Sequence, residues 1–494
     1  MKKNRIFCRL AALALAAALT VGLSVPAMAV SFTDVPDSHW AAKEISRCTA
    51  LGIFQGESAS TFGLKKPMTR AAFAVVLCRF FGWDTAKRTQ TPYSDVPADK
   101  WYAGAVSAAY ENGAVTTQRL TFRPNDPITR EEMAVMLIRA LGYGSIAGLA
   151  QDLDLPFTDV TSNDGYITMA YHMGLVTGTT ATIFSPDATA TREQAAVLLI
   201  RLYDKLHSAA PNTVGIVTEA AESAALADFE TIAIAGGKLS VAGKNAVFSS
   251  TLDDAAATAS AARANGSKVL LYVTAKSTIL KATAAQTAEV LAKEVAEGGC
   301  DGLYLDVPAL ESANQAKFTA LVQAVDAALG GKTFYLAAEA PTRSGTTYGG
   351  YDYAALAGIA DRLVLRAASP ESVTGSFPTA PVEPVEEVYY ALSKLDPISN
   401  VTLLVSSEGS LWKGRSEAGP ITGLAVEELL ANGASSYYSD RYGCAYLRSG
   451  STTVWYLDEA ACVQRMQLAR LLGVDELCVS DVTGASAGFL NGLQ

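Results

Sequence analysis

The residues of this sequence best suited to chemistry form two sets. The first is a pair of carboxylates closing apolar runs: Asp306 in Gly302-Leu303-Tyr304-Leu305-Asp306-Val307-Pro308, and Glu339 in Tyr335-Leu336-Ala337-Ala338-Glu339. Two carboxyl groups sharing a dry pocket can hold one proton between them, and the protonated one can serve as a general acid. Glu408 and Asp481 follow later apolar runs, and Glu311 lies three residues past Pro308. The competing expectation for Glu339 is an ion pair with Arg343 or Arg366. The second set is Arg70, Arg130 and Arg192, each preceded by a threonine, with Trp40 and Trp101 upstream. Arginine can take a carboxylate in two parallel hydrogen bonds, and an indole can cover the apolar face of a sugar, so this set suits an acidic saccharide. The competing expectation is that these Arg and Trp residues only stack on and cap their own fold. His39, His172 and His207 have no partner at metal-ligand spacing, so no metal and no cofactor is expected.

The carboxylates require strands. Leu303, Leu305 and Val307 alternate with Tyr304, Asp306 and Pro308, the period of two of a short strand with one row against helices. The other row carries a phenol and a carboxylate to the strand's C-terminal end, where parallel barrels build their sites. Similar runs predict strands at Val214–Val217, Lys268–Val273, Thr333–Ala338, Arg362–Leu365, Val401–Val405 and Glu476–Val479. Ala-rich stretches such as Ala284–Glu297 and Gln315–Leu329 predict helices between them. This alternation over residues 214–494 predicts a single (β/α)8 barrel.

The arginines require a repeat. Three phrases, Phe32-Thr33-Asp34-Val35, Tyr93-Ser94-Asp95-Val96 and Phe157-Thr158-Asp159-Val160, recur about every sixty residues. Each leads through an Ala-rich helix to a glycine turn (Gly52, Gly113, Gly174), a lone phenylalanine (Phe62, Phe122, Phe184) and a Thr-Arg pair. Thr129 with Glu132, and Thr191 with Gln194, have the spacing of a helix capping box. Asp34, Asp95 and Asp159 are expected to cap local turns. The repeats span 30–90, 91–152 and 153–207, with a small polar linker at 208–213.

Residues 1–29 read as a secretory signal peptide: Lys2, Lys3, Arg5 and Arg9, an apolar run to Leu23, then Ala27-Met28-Ala29. No later uncharged apolar stretch is long enough to span a membrane. The 494 residues carry a formal charge of −10, which disfavours nucleic acid and anionic membrane surfaces as partners. Seven cysteines, six of them beyond the signal, have no framework spacing and are expected as buried thiols, with a Cys48–Cys78 pair the alternative.

The three repeats resemble S-layer homology (SLH) domains. The resemblance implies an all-α pseudo-trimer that binds the secondary polysaccharide of the cell wall, a pyruvylated form being one candidate. It carries the binding role to Trp40, Arg70, Trp101, Arg130 and Arg192. The copies are uneven: repeat one has Ala71-Ala72 where the family prefers an acid, and repeat three has Asn163-Asp164-Gly165-Tyr166 without a Trp. One or two of the three grooves are therefore expected to bind strongly.

The stretch Asp301–Pro308 resembles the fourth-strand signature of glycoside hydrolase family 18, the chitinase-like barrels, whose pattern is Asp-Gly-apolar-Asp-apolar-Asp-x-Glu. The order of later pieces agrees: Tyr335–Pro341, Tyr351–Asp361, Leu403–Trp412 and Val454–Asp458. The resemblance implies substrate-assisted hydrolysis of N-acetylglucosamine glycans, with the last Glu as acid. Here Pro308 stands in that position and Tyr304 in place of an Asp, Arg366 begins the strand-six departure, and Ser480 replaces the strand-eight Trp. Three functions compete: a wall-anchored protein whose non-catalytic barrel binds glycan, with Trp412 and Trp455 lining its cleft, or is simply a displayed structural module; a wall-anchored hydrolase with a relocated acid, Asp306 and Glu339 being the candidates; and a structural S-layer component.

Overall fold

A computed structural model of the protein describes residues 32–86, 91–117, 120–251, 255–343, 349–367, 379, 381–395 and 399–493. The expected signal peptide lies outside these. The chain divides into two compact units, Met1–Ser208 and Ala209–Gln494. No described helix is long and apolar enough to cross a membrane.

In the first unit each repeat contributes two main helices: Ala42–Ala50 and Arg70–Phe81, Ala103–Glu111 and Arg130–Ala140, Asp164–His172 and Arg192–Leu206. The second helices start where a threonine can satisfy free N–H groups. Thr69 accepts from Ala72, Thr129 and Glu132 form the full capping box, and Gln194 accepts from the Thr191 N–H at 3.1 Å. The segments before these helices close a ring of three backbone hydrogen bonds. Met68 donates to Ala190, Ala190 to Ile128, and Ile128 to Met68, at 2.8–3.0 Å. The helices pack across repeats in the same cyclic sense, 70–81 on 103–111, 130–140 on 164–172, and 192–206 back on 42–50. The three lone phenylalanines are fully buried within the repeats.

The second unit is a closed barrel of eight parallel strands: β1 (Asn212–Val217), β2 (Thr231–Ala242), β4 (Lys268–Ala275), β5 (Gly302–Asp306), β6 (Thr333–Glu339), β7 (Arg362–Arg366), β8 (Val401–Val405) and β14 (Glu476–Val479). Pairing of β1 with both β14 and β2 closes it. Seven of the eight lie where the hydrophobic runs predicted them. The alternation missed β2, whose apolar run is broken by Gly236-Gly237, with a register shift between Ala235 and Gly237 against β4. β2 runs on into an antiparallel hairpin with β3 (Asn245–Ser250). Between β8 and β14 the chain inserts a five-stranded antiparallel sheet, made of β9 (Gly409–Lys413), β10 (Ser416–Ile421), β11 (Ser435–Ser439), β12 (Cys444–Ser449) and β13 (Thr452–Tyr456), with the helix Gly423–Ala431. Hydrophobic runs alone do not separate this insert from the barrel strands.

The barrel interior is filled by one side-chain row from each strand, including Val214, Ala233, Leu270, Tyr304, Tyr335, Val364, Leu404 and Cys478. It is therefore a packed core, and only the rows at the C-terminal strand ends are open to chemistry. The six described cysteines are all buried free thiols.

Candidate functional site

At the barrel's C-terminal end the two expected carboxylates do come together, and Arg366 stands between them. Asp306 closes β5, Glu339 closes β6 and Arg366 closes β7. Because β7 neighbours β6 in register, with Arg366 opposite Glu339, the fork reaches across two strands. One Arg366 nitrogen donates to Asp306 Oδ2 at 2.6 Å and the other to Glu339 Oε1 at 2.8 Å. Tyr272, from β4, adds a hydroxyl donor to Asp306 Oδ2 at 2.8 Å. Side-chain exposures of 7 and 13 % put both carboxylates in a mostly dry setting, where such charge-assisted bonds are strong. Burial works against the Arg366 charge, but Asp306 and then Glu339 more than offset it and hold its pKa above the ordinary arginine value. Burial, reinforced by Asp306, likewise pushes the Tyr272 phenol upward. Both carboxylates thus serve as acceptors for cationic or phenolic donors.

Pro308 stands just beyond Asp306, and Ala309 follows with φ +56°, a left-handed conformation that turns the chain away from the strand. Glu311 is exposed and opens the short turn Ser312–Asn314. Tyr351 donates to the Val307 carbonyl at 2.8 Å and Tyr353 to the Glu339 carbonyl at 2.7 Å, so two phenols pin the backbone beside the carboxylates. Tyr304 lies below this layer, fully buried, edge-on to Tyr272 at 5.0 Å.

Glu383 joins this end of the barrel without a signal in the sequence. It is buried, with φ +39°, and its carboxyl accepts from the Ser406 hydroxyl (2.6 Å) and N–H (3.1 Å) just past β8. Burial raises its pKa. Nothing around Glu383 in sequence signals this, because its partners come from β8 and, for its carbonyl, from Arg465 on the helix Glu459–Leu472. Half-buried Glu408 also has a raised pKa, from burial and then from Asp481. Asp481 accepts from Thr218, Thr483 and the Gly484 N–H. Trp412 is half-buried on β9 with its indole N–H on Ser410 at 2.7 Å. Trp455, expected to line a cleft, is instead fully buried and donates to Thr379 at 2.7 Å, because β13 is the inner strand between β9 and β12.

In the first unit the three arginines take one pose. The Nε of each donates to the carbonyl of the lone phenylalanine in the next repeat: Arg70 to Phe122 (2.8 Å), Arg130 to Phe184 (2.9 Å) and, closing the ring, Arg192 to Phe62 (2.9 Å). Each guanidinium also lies over that phenylalanine ring, 4.6–5.0 Å from its centre. Burial lowers all three pKa values, although guanidinium stays charged in protein surroundings. Beyond the shared bond the corners differ. Arg130 and Arg192 donate to the Thr177 and Gln55 carbonyls, both at 2.7 Å, whereas Arg70 pairs with Glu132 at 2.9 Å. A cavity of about 240 Å³ opens at the Arg70 corner, with Arg123, Arg139, Glu131, Glu132 and Asn163 in its wall.

Asp34, Asp95 and Asp159 do not cap turns close by in sequence. Each accepts N–H bonds from the phenylalanine loop of its own repeat, 25 to 30 residues on, at 2.7–3.0 Å. Trp40 and Trp101 are 61 and 69 % exposed, open to a ligand face. Both stand two residues before the first helix of their repeat, and the same place in repeat three holds Ser162, whose hydroxyl donates to Glu131. Inside that third-repeat helix Gly165 has no room for a side chain: a Cβ there would sit 1.6 Å from the Ala147 carbonyl oxygen.

Comparison with known proteins matches these features. Residues 31–74, 92–134 and 156–196 fit the S-layer homology domain family. An endoglucanase from Bacillus sp. (strain KSM-635) is 32 % identical over 227 residues, covering 44 % of this chain and 23 % of the relative. A cell surface protein from Thermoanaerobacter kivui is 32 % identical over 170 residues, 32 % of this chain and 20 % of the relative. The chain thus spans less than a quarter of the length of either relative. Among solved structures, a chitinase from Chromobacterium violaceum superposes with a TM-score of 0.51 at 18 % identity, over 57 % of this chain and 98 % of the chitinase, a likeness of fold. The chain therefore carries three S-layer homology domains, arranged as a cyclic helical unit, followed by a (β/α)8 barrel similar in fold to that of a chitinase.

Proposed function

We propose that this is an exported protein held non-covalently at the cell surface, its SLH unit (residues 30–207) bound to an acidic, carboxylate-bearing wall polysaccharide, and that its barrel (residues 214–494) displays a non-catalytic glycan-binding surface. The anchoring half is supported by the three domains, by a guanidinium group set in each inter-repeat corner, and by the exposed Trp40 and Trp101 of the same unit. A pyruvylated sugar would present such a carboxylate.

The observation that carries the barrel reading is the Arg366 fork. A glycosidase of this fold needs a protonated carboxyl within hydrogen-bond reach of the leaving oxygen. Position 308 offers a proline, and Asp306 and Glu339 are both engaged as acceptors by one guanidinium. The second reading, a wall-anchored glycoside hydrolase acting on N-acetylglucosamine glycans, is favoured by Glu408. This carboxyl, with its raised pKa, lies past a strand end at the same end of the barrel.

Two measurements test the proposal. The full chain should co-sediment with purified walls, and walls stripped of acidic polymer should lose it. Incubation with peptidoglycan and chito-oligosaccharides should release no product. Product that disappears in Glu408→Gln or Glu339→Gln would establish the hydrolase reading instead.

A further inference from the structure

We infer that β11, the outermost strand of the inserted sheet, is a pairing edge for a second copy of this chain: two β11 strands meet antiparallel about a two-fold axis centred on Tyr437, joining the two five-stranded sheets into one. This goes beyond the proposed anchoring and display, and neither wall polymer nor glycan takes part in it.

The barrel itself is closed, so among the described residues the second unit has three edge strands: β3, β10 and β11. An edge strand turns N–H and C=O groups outward and can template another strand, unless something blocks it. Two of the three are blocked. On β3 the Gln286 side-chain amide takes both backbone groups of Ala246, at 2.7 and 3.2 Å, and its helix Ala284–Glu297 packs along the strand. On β10, Glu417 sets a charge, Gly419 at φ +118° breaks the register against β9, and Pro420 has no N–H. β11 carries none of these devices. Ser435-Ser436-Tyr437-Tyr438-Ser439 has no charge, glycine or proline, and Ser435, Ser436 and Tyr437 are exposed. Among the described residues its one strand partner is β12.

The strand is its own complement. Antiparallel about Tyr437, Ser435 faces Ser439 of the second copy, Ser436 faces its Tyr438, and the two Tyr437 rings face each other. Those rings extend a row already built across the sheet: Tyr437 stacks on Tyr446 at 5.3 Å, and Tyr446 lies 4.7 Å from Trp455. The rims are opposite in sign. Exposed Arg448 stands across from Ser435 on β12, and exposed Asp440 follows Ser439, so each rim sets the arginine of one copy near the aspartate of the other. Arg441, beside Asp440, is turned onto its own Tyr442 ring, 5.1 Å from its centre. A chain of formal charge −10 thus offers a neutral, self-matching strand where copies would otherwise repel. A five-residue strand pair makes a smaller interface than the about 1,000 Å² of a stable complex, so the dimer is reversible.

The test is sedimentation velocity on the full chain over a concentration series. The unaltered chain should pass from monomer to dimer over roughly 10–1,000 µM, the range of a small interface. Two double variants, Ser435→Lys/Ser439→Lys and Ser435→Glu/Ser439→Glu, set like charges opposite each other at both ends of the pairing. Each alone should dimerise about tenfold more weakly or not at all. Mixed in equal amounts, the two variants place Lys against Glu at both ends, and the dimer should return. A folding defect would not be cured by mixing. An unaltered chain that stays monomeric, a variant that dimerises as the unaltered chain does, or a mixture that stays monomeric overturns the inference. None of these outcomes bears on wall binding.

Discussion

At the scale of single residues, the barrel mouth is governed by where charge is compensated. Arg366 neutralises two carboxylates whose strands would otherwise place like charges side by side. Arg366→Ala should destabilise the barrel by roughly 2–3 kcal/mol, a figure reduced from that of a fully buried pair because the fork is partly exposed. Denaturant unfolding followed by tryptophan fluorescence would measure this, and an unchanged midpoint would contradict the bridging role. Glu383 presents the opposite case. Its folded-state pKa is raised above the ordinary 4.5, so its contribution to stability is complete below that value and is lost as pH rises through the folded-state value. Glu383→Gln removes this titration, and its amide can satisfy both Ser406 groups. The thermal midpoint of Glu383→Gln relative to the parent should therefore climb as pH is raised from 4 to 8; a flat difference would show that the carboxyl is not buried as described.

At the scale of elements, the first helix of repeat three carries a glycine that packing fixes. Residues 144–153 add a short helix, Gly144–Ala147, and a following turn after the second helix of repeat two. The Ala147 carbonyl occupies the space that a side chain at 165 would need. Gly165→Ala should cost about 1–3 kcal/mol through overpacking. Thermal unfolding of the full chain with Gly165→Ala tests this; full tolerance would mean that the segment yields easily. Legibility also varied by element. Strands with unbroken Val, Leu and Ile runs, such as Val401–Val405, were readable to the residue. β2 was not, because Ala235, Gly236 and Gly237 dilute its pattern and its edges are set by pairing with β1, β3 and β4. The inserted sheet was also missed, because its strands are held by antiparallel partners rather than by a continuous hydrophobic run.

At the scale of the whole molecule, each unit is defined by a closure that local sequence does not announce. The SLH unit closes when Arg192 spans back to repeat one, donating to Phe62 and Gln55. Arg192→Ala should release those loops. Hydrogen exchange in the full chain should then show the amides of Phe62, Gly63 and Leu64 losing protection, while the Phe122 loop held by Arg70 keeps its own. Equal protection in both loops would rule out a role for Arg192 in closing the ring.

The sequence by itself determined the three repeats, the helix starts at Thr-Arg, the strand rows that deliver Asp306 and Glu339, and the proline where an acid would stand. All of these rest on local periodicity, capping chemistry and residue type, which need no partner from far away. Only the tertiary structure decided that Arg366 joins the two carboxylates, that Trp455 is buried, that Gly165 is forced, and that Glu132 pairs with Arg70 and Arg123. Each of these depends on which distant segments the barrel and the ring bring into contact, and in a low-dielectric corner the sign of the nearest distant charge outweighs anything its own neighbours in sequence contribute.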